Sequence, residues 1–254
     1  MNIIETESVL GYPVCIGGVE PLLKDVLNWI KHGRTCRSLA CMNPHSYSVA
    51  RSNGDFADAL THANWLIPDG VGIVLASRIL RGKLRERVTG SDIFEGLNGR
   101  LNKVGGSVFF LGATEETLSA IRKRMKLDYP NVKVAGTCSC PFKPAFSEQD
   151  TSAMLTAINM VAPDVLWVGM TSPKQDLWIY ANRHRLNVKF AAGVGAVFDF
   201  YIGRVRRSHP IFQRLGLEWL PRLLQEPRRL WPRTFVSAPI FVWHVVRQKL
   251  RGRR

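Results

Sequence analysis

Short apolar runs that end in Gly, Pro, Asn or Asp alternate with amphipathic stretches along the first four-fifths of the chain. This alternation limits the fold more than any other feature. SLACMN (38–43), NWLIP (64–68), SVFFLG (107–112), NVKVAGT (131–137), PDVLWVGM (163–170) and VKFAAG (188–193) read as strands. Leu22, Leu23, Val26, Leu27 and Ile30 recur at helical spacing within 20–31. Residues 45–63 read as helix with an interruption near Asn53-Gly54, and 71–80 are apolar on most faces, as in a buried helix. Ser91 is the expected N-cap of a helix through Asn102, and Thr114 of another with Glu115 and Glu116 in its first turn. Helices over 147–161 and 171–183 complete the pattern, and VLGYPVCIGGV (9–19) reads as a short strand or hairpin. Strands alternating with helices form βαβ units. The expected fold class is therefore α/β: a Rossmann-like, mostly parallel sheet with helices on both faces, plus a C-terminal basic helical appendage. The core is placed at 1–203 and the appendage at 204–254. At 254 residues and 46% hydrophobic, the chain is long enough to bury a sizeable core.

In such folds ligands bind beyond the C-terminal ends of the strands. That rule gathers Asn43, Asp69, Gly112, Thr171 to Gln175, and Gly193 to Gly195 toward one rim. Asp69 is either the first residue of an Asp-Gly turn or a carboxylate placed to take a proton from a hydroxyl. Asn43 is either half of an Asn-Pro turn or a hydrogen-bonding group for a sugar hydroxyl. Arg87 either pairs with a diphosphate or belongs with Lys83 and Arg85 to a set of solvated charges. Gln175 is a polar ligand contact or an exposed helix start. Gly112 lets a backbone approach phosphate at a helix N-terminus. Gly193 and Gly195 lack the third glycine of a dinucleotide fingerprint, and no lysine-bearing phosphate loop occurs, so oxidoreductase and ATPase readings have little support.

The six histidines form no close pairs, and the five cysteines show no CxxC spacing. Free thiols in a reducing compartment and a site without metal or cofactor are expected. The opening MNIIETESV has no basic cluster and does not read as a secretory signal, and no apolar run reaches the roughly 18 residues of a membrane span.

Charge is distributed unevenly. The net is +15, yet residues 204–254 hold thirteen Lys/Arg against two Asp/Glu, so +11 lies in the last fifth. Such an arm suits nucleic acid or anionic lipid. Prolines at 221, 227, 232 and 239 cut it into short helices, and Leu, Trp and Phe alternate with the arginines. That interleaving suits an interfacial membrane element better than nucleic acid, and no nucleic acid partner is expected. Trp219, Leu220, Leu223 and Leu224 read alternatively as a cover for the sheet.

Asn43-Pro44, PDGVG (68–72), ERVTGSD (86–92), FLGA (110–113), GMTSPKQDLW (169–178), GVGAVFDF (193–200) and GLEWLPRLLQEPRRLW (216–231) together resemble the WecG/TagA/CpsF glycosyltransferase family, in order and over nearly the whole chain. The resemblance implies an inverting, metal-independent transfer of a hexose unit from a UDP-sugar to a sugar on a polyprenyl diphosphate. The work would be done peripherally, at the cytoplasmic face of the cell membrane. It makes Asp69 the general base and gives Asn43, Arg87 and Gln175 substrate roles, so that the reaction centre lies within 43–87. Cys41 stands where the family often has threonine, which removes a hydroxyl donor. Arginines of the appendage, among them Arg207, Arg214 and Arg222, are implied to complete the site over the diphosphate. Glucose, N-acetylmannosamine and its uronic acid are the sugars implied, and the apolar tail past Trp231 leans toward an exopolysaccharide glucosyltransferase. The apolar arm also admits a homo-oligomer.

Overall fold

A computed structural model describes residues 4–205, 231 and 233–252. A hairpin, β1 (Thr6–Val9) and β2 (Tyr12–Cys15), opens the chain, turning through Leu10 and Gly11, both at positive φ. The six-stranded sheet follows: β3 (Arg37–Met42), β4 (Trp65–Pro68), β5 (Gly106–Gly112), β6 (Val132–Cys138), β7 (Val165–Gly169) and β8 (Phe190–Gly193). Its order is β4-β3-β8-β7-β5-β6 and every pairing is parallel, so the expected α/β architecture is present. Among the described residues the helices are α1 (Val19–His32), α2 (Pro44–Ala50), α3 (Gly54–Thr61), α4 (Val71–Ile79), α5 (Gly90–Val104), α6 (Glu115–Asp128), α7 (Glu148–Asn159), α8 (Lys174–Asn182), α9 (Val197–Tyr201) and α10 (Ala238–Arg251), the last entered by a π-helical turn at Arg233–Ser237.

Strand alternation divides the core. Leu39, Trp65, Ile67, Val108, Phe110, Trp167 and Phe190 point to the face covered by α1, α5, α6 and α9. Ala40, Met42 and Leu66 point to the opposite face, beneath α2, α3 and α4. Phe109, Leu111, Leu166, Val168 and Ala191 also face that side, beneath α7 and α8. Period-2 strands buried on both faces explain the near-continuous apolar runs in the sequence.

Three local expectations change. Asn53 caps α3 by accepting from Phe56 N, which turns the expected interruption of 45–63 into two helices. The cap of α5 is Thr89 rather than Ser91. Thr89 Oγ1 accepts from Asp92 N at 3.2 Å while Asp92 Oδ2 accepts from Thr89 N at 2.8 Å, a reciprocal box that satisfies two end groups at once. α4 is buried on one face only, since Leu75 and Ile79 are exposed.

Part of the basic arm covers the core. Phe241 and Val245 of α10 are buried against the cluster under α2 and α4. The Tyr47 ring meets Phe241 edge-on at 5.4 Å, His45 Nδ1 lies 2.9 Å from Ser237 Oγ, and Arg51 contacts the His244 ring at 2.6 Å. Trp219, Leu220, Leu223 and Leu224, also read as a cover for the sheet, lie outside the described residues.

Candidate functional site

The sheet places the candidate residues along its carboxyl edge in strand order: Asp69 (β4), Asn43 (β3), Gly193 to Gly195 (β8), Met170 to Gln175 (β7) and Gly112 (β5). The order of strand addition reverses across the sheet, from β3 outward to β4 on one side and from β5 outward to β6 on the other, with β8 and β7 between, so the centre of this rim is the crevice where such folds bind ligands.

Asn43 and Asp69 are neighbours for a definite reason. β3 and β4 run in register with Met42 opposite Pro68, so the next residues leave the sheet side by side. Asp69 N donates to Met42 O at 2.8 Å, extending the ladder by one bond. Gly70, at φ +99°, then turns the chain into α4. A Cβ on Gly72 would lie 2.6 Å from Pro44 Cγ, so α2 and α4 start in tight contact. Asn43 serves as the α2 cap: its Oδ1 accepts from His45 N and Ser46 N at 3.0 and 2.9 Å, and its Nδ2 takes no part in that cap.

Arg87 lies on the 80–89 loop, and that loop is held from three sides. Val88 N donates to Pro68 O at 3.1 Å, next to Asp69. Leu84 N donates to Ser77 Oγ and to Glu7 Oε2, and Glu7 Oε2 also accepts from Lys83 N. Lys83 pairs with Glu5 on the hairpin at 2.8 Å. A backbone fixed at 84 and 88 confines the intervening arginine to the β4 side of the rim.

Gln175 is buried, with Oε1 accepting from Gly195 N at 3.0 Å. A Cβ on Gly193 would fall 2.7 Å from Gln175 Nε2, so glycine there lets the carboxamide lie across the β8 turn. Gly112 needs its missing side chain for the sheet itself: a Cβ would approach Gly169 O to 2.7 Å. Its φ of +96° turns the chain toward the Thr114 cap of α6. Arg204 reaches Thr117 Oγ1 in the first turn of α6 at 3.2 Å, which puts one cation of the arm at this rim. Arg207, Arg214 and Arg222 lie outside the described residues.

Cys41 sits behind Asn43. Burial pushes its thiol well above the usual range, and Asp69, together with Asp176 when that acid is ionised, pushes it further, so it stays a neutral thiol. Asp176 is a member of the rim that the sequence reading left unassigned. It is buried at 7% exposure and its Oδ2 accepts from Ser172 Oγ at 2.8 Å. The available signal was its place in SPKQD, one residue after Gln175. Among the described residues, no group of three or more His, Cys, Asp or Glu is arranged to hold a metal ion.

The parallel α/β sheet thus gathers a carboxylate, an amide cap, an arginine loop and glycine turns at its carboxyl edge, where α/β proteins of this layout bind their ligands. Residues 7–254 match the Glycosyl transferase WecG/TagA/CpsF family. The chain is similar to an N-acetylglucosaminyldiphosphoundecaprenol N-acetyl-beta-D-mannosaminyltransferase of Bacillus subtilis (strain 168), 30% identical over 214 residues, covering 83% of this chain and 79% of the relative. Proteins of the same name from Bacillus spizizenii and Staphylococcus aureus (strain MW2) are 31% and 27% identical, each covering 82% of this chain and 77% and 78% of their own length. The chain belongs to the WecG/TagA/CpsF family of glycosyl transferases and is itself a glycosyltransferase.

Proposed function

We propose that this enzyme transfers an N-acetylmannosaminyl unit from its UDP donor to an N-acetylglucosamine carried on a polyprenyl diphosphate, with inversion. The observation that carries the reading is the pairing of Asn43 and Asp69 at the ends of adjacent strands, beside the Arg87 loop. The names of the similar proteins favour N-acetylmannosamine over glucose. In the reaction Asp69 takes the proton of the acceptor hydroxyl, and that oxygen attacks the anomeric carbon on the face opposite UDP. The bond from that carbon to the β-phosphate oxygen breaks, and Arg87 with arm arginines offsets the charge on departing UDP. Asn43 Nδ2 orients a sugar hydroxyl. The test is a screen of UDP-N-acetylmannosamine, UDP-glucose and the UDP-linked uronic acid against a short-chain lipid-diphosphate acceptor. Preferred use of UDP-glucose would overturn the sugar assignment, and transfer from none of the three would overturn the reaction.

The same reading places the enzyme peripherally at the cytoplasmic face of the cell membrane, with the 1–203 core carried by the 204–254 arm. No helix among the described residues is long and apolar enough to cross a membrane. α10 is two-faced: Phe241 and Val245 hold the core, while Val242, Trp243, Val246 and Leu250 are exposed beside Arg247, Lys249 and Arg251. Trp231, Phe235 and Val236 before it, and Leu75 and Ile79 of α4, which α10 contacts, are exposed as well. Apolar and cationic groups sharing one helix surface suit an anionic lipid interface. Replacing Trp243 and Val246 by Glu is expected to weaken binding to anionic vesicles at least about tenfold without lowering thermal stability. Unchanged vesicle binding would sink this placement. Removing everything past 203 would be a poorer test, because it also strips Phe241 and Val245 from α2 and α4.

A further inference from the structure

Asp176 is a buried acid that the transfer reaction, as described, does not use. Its surroundings are unusual for a carboxylate. Among the described residues no cation forms an ion pair with it, and its side-chain partner is the Ser172 hydroxyl. α8 packs on β8, β3 and α3. β8 brings no titratable group. β3 brings the neutral Cys41 thiol, with Arg37 at its far end stacked on Trp29. α3 brings Asp55, Asp58 and His62, the last meeting Tyr180 on the second turn of α8. Asp69 and Asp176 are both near enough to act on the Cys41 thiol. Ionised, Asp176 would set a second negative charge behind the general base and near the path of a departing diphosphate, with no counter-charge beside it.

We propose that Asp176 is a positioning residue for the transfer and acts as a neutral carboxylic acid. Its bond from Ser172 ties the 171–175 turn to α8, so that Gln175 is fixed across Gly193 and Gly195. In its protonated form it keeps the surroundings of Asp69 free of a competing charge. The inference rests on the functional reading above. Burial supports it, pushing the carboxyl from an ordinary 3.8 up to about 7, while the Ser172 bond and a backbone N–H pull the other way. The sign follows from linkage. Between those two values the folded chain holds a proton that the unfolded chain has released, so stability falls as pH rises through this window and levels off above about 7.

The test compares the wild-type chain with Asp176→Asn, which mimics the neutral acid, and Asp176→Ala, which removes the Ser172 bond. Thermal melts need no substrate. The Tm of Asp176→Asn minus that of wild type should widen by on the order of 5 °C between pH 5 and pH 8, because only the wild type must hold or ionise the buried acid. In the transfer assay Asp176→Asn should stay within about threefold of wild-type kcat at pH 6 and lack the wild-type decline between pH 7 and 8, while Asp176→Ala falls about tenfold. A Tm difference that does not change with pH, or an Asp176→Asn profile that keeps the alkaline decline, overturns the inference. Where Asp176→Ala does not fold, the Asn variant decides alone. Wild-type enzyme that transfers nothing overturns the functional reading, and this role falls with it. Wild-type transfer with both variants unchanged overturns only the role of Asp176.

Discussion

Asp69→Asn is expected to lower kcat for transfer by about 10²–10⁴-fold while leaving KM for the donor within a few-fold of wild type, the range that loss of a positioned general base produces. The substitution keeps the shape while removing the charge and the ability to accept a proton. The backbone bonds that place residue 69 survive the substitution: its N–H donates to Met42 O, and the following glycine makes the turn. Equal melting temperatures with a large loss of kcat would separate chemistry from folding. Assays should cover pH 6 to 9, since a higher pH recovers a missing base only where hydroxide or ionised acceptor takes over. Near wild-type turnover at all pH values would remove Asp69 as the base and leave it as the first residue of an Asp-Gly turn, the alternative that spacing alone leaves open.

Arg87→Ala is expected to lower kcat/KM by about 10²-fold, the cost of removing one well-aimed charge stabiliser from a departing group. Arg87→Lys should recover part of the loss and not all of it, because an ammonium is a point charge and lacks the two-pronged geometry that matches a diphosphate. The loop should keep its course in both variants. It is tied through Val88 N to Pro68, through Leu84 N to Ser77 and Glu7, and through Lys83 to Glu5, none of which uses the arginine head. Direct binding of UDP, followed by calorimetry, should weaken in both variants. Unchanged UDP affinity with unchanged turnover would return Arg87 to the solvated set that includes Lys83 and Arg85.

Much of the fold was legible because each element carries a local reason. The strand runs are apolar on both faces, as buried parallel strands must be, and helices such as α1 repeat Leu22, Leu23, Val26 and Ile30 on one stripe. A cap was legible where a Thr stood alone before a helix, as at Thr114. At α5 the expectation fell on Ser91, and only the structure shows that Thr89, two residues earlier, meets the reciprocal partner. The two-sided nature of α10 was equally hidden. Phe241, Val242, Trp243, Val245 and Val246 read alike as apolar, and only the surface offered by Tyr47 on α2 separates the pair that is buried.

For the site, sequence pattern located the rim and left roles open. The Asp-Gly and Asn-Pro pairs had sound explanations as turns, and in the structure Asn43 caps α2 with Pro44 as its first residue while Asp69-Gly70 bends the chain into α4, the two placed together by the β3–β4 register. Gln175 illustrates the limit most clearly. Its bond to Gly195 N crosses from the start of α8 to the end of β8, a contact between residues 20 apart in sequence that no local pattern encodes. Asp176 was invisible for the same reason. An acidic residue in the first turn of a helix is ordinary in sequence, and only burial among Ser172, Cys41 and the turns of β7 makes it unusual.

The amino-acid sequence by itself determined the parallel α/β layout, the strand ends that carry polar residues, the uneven charge and the family, because each depends on periodicity, on local composition or on motifs kept in order. Tertiary structure alone decided which of those residues meet: Asn43 beside Asp69, the Arg87 loop beside Pro68, Gln175 across Gly195, and a carboxyl buried away from any cation of the described chain. Register and burial are properties of the assembled sheet, set by which strands lie side by side, and no single segment contains that information.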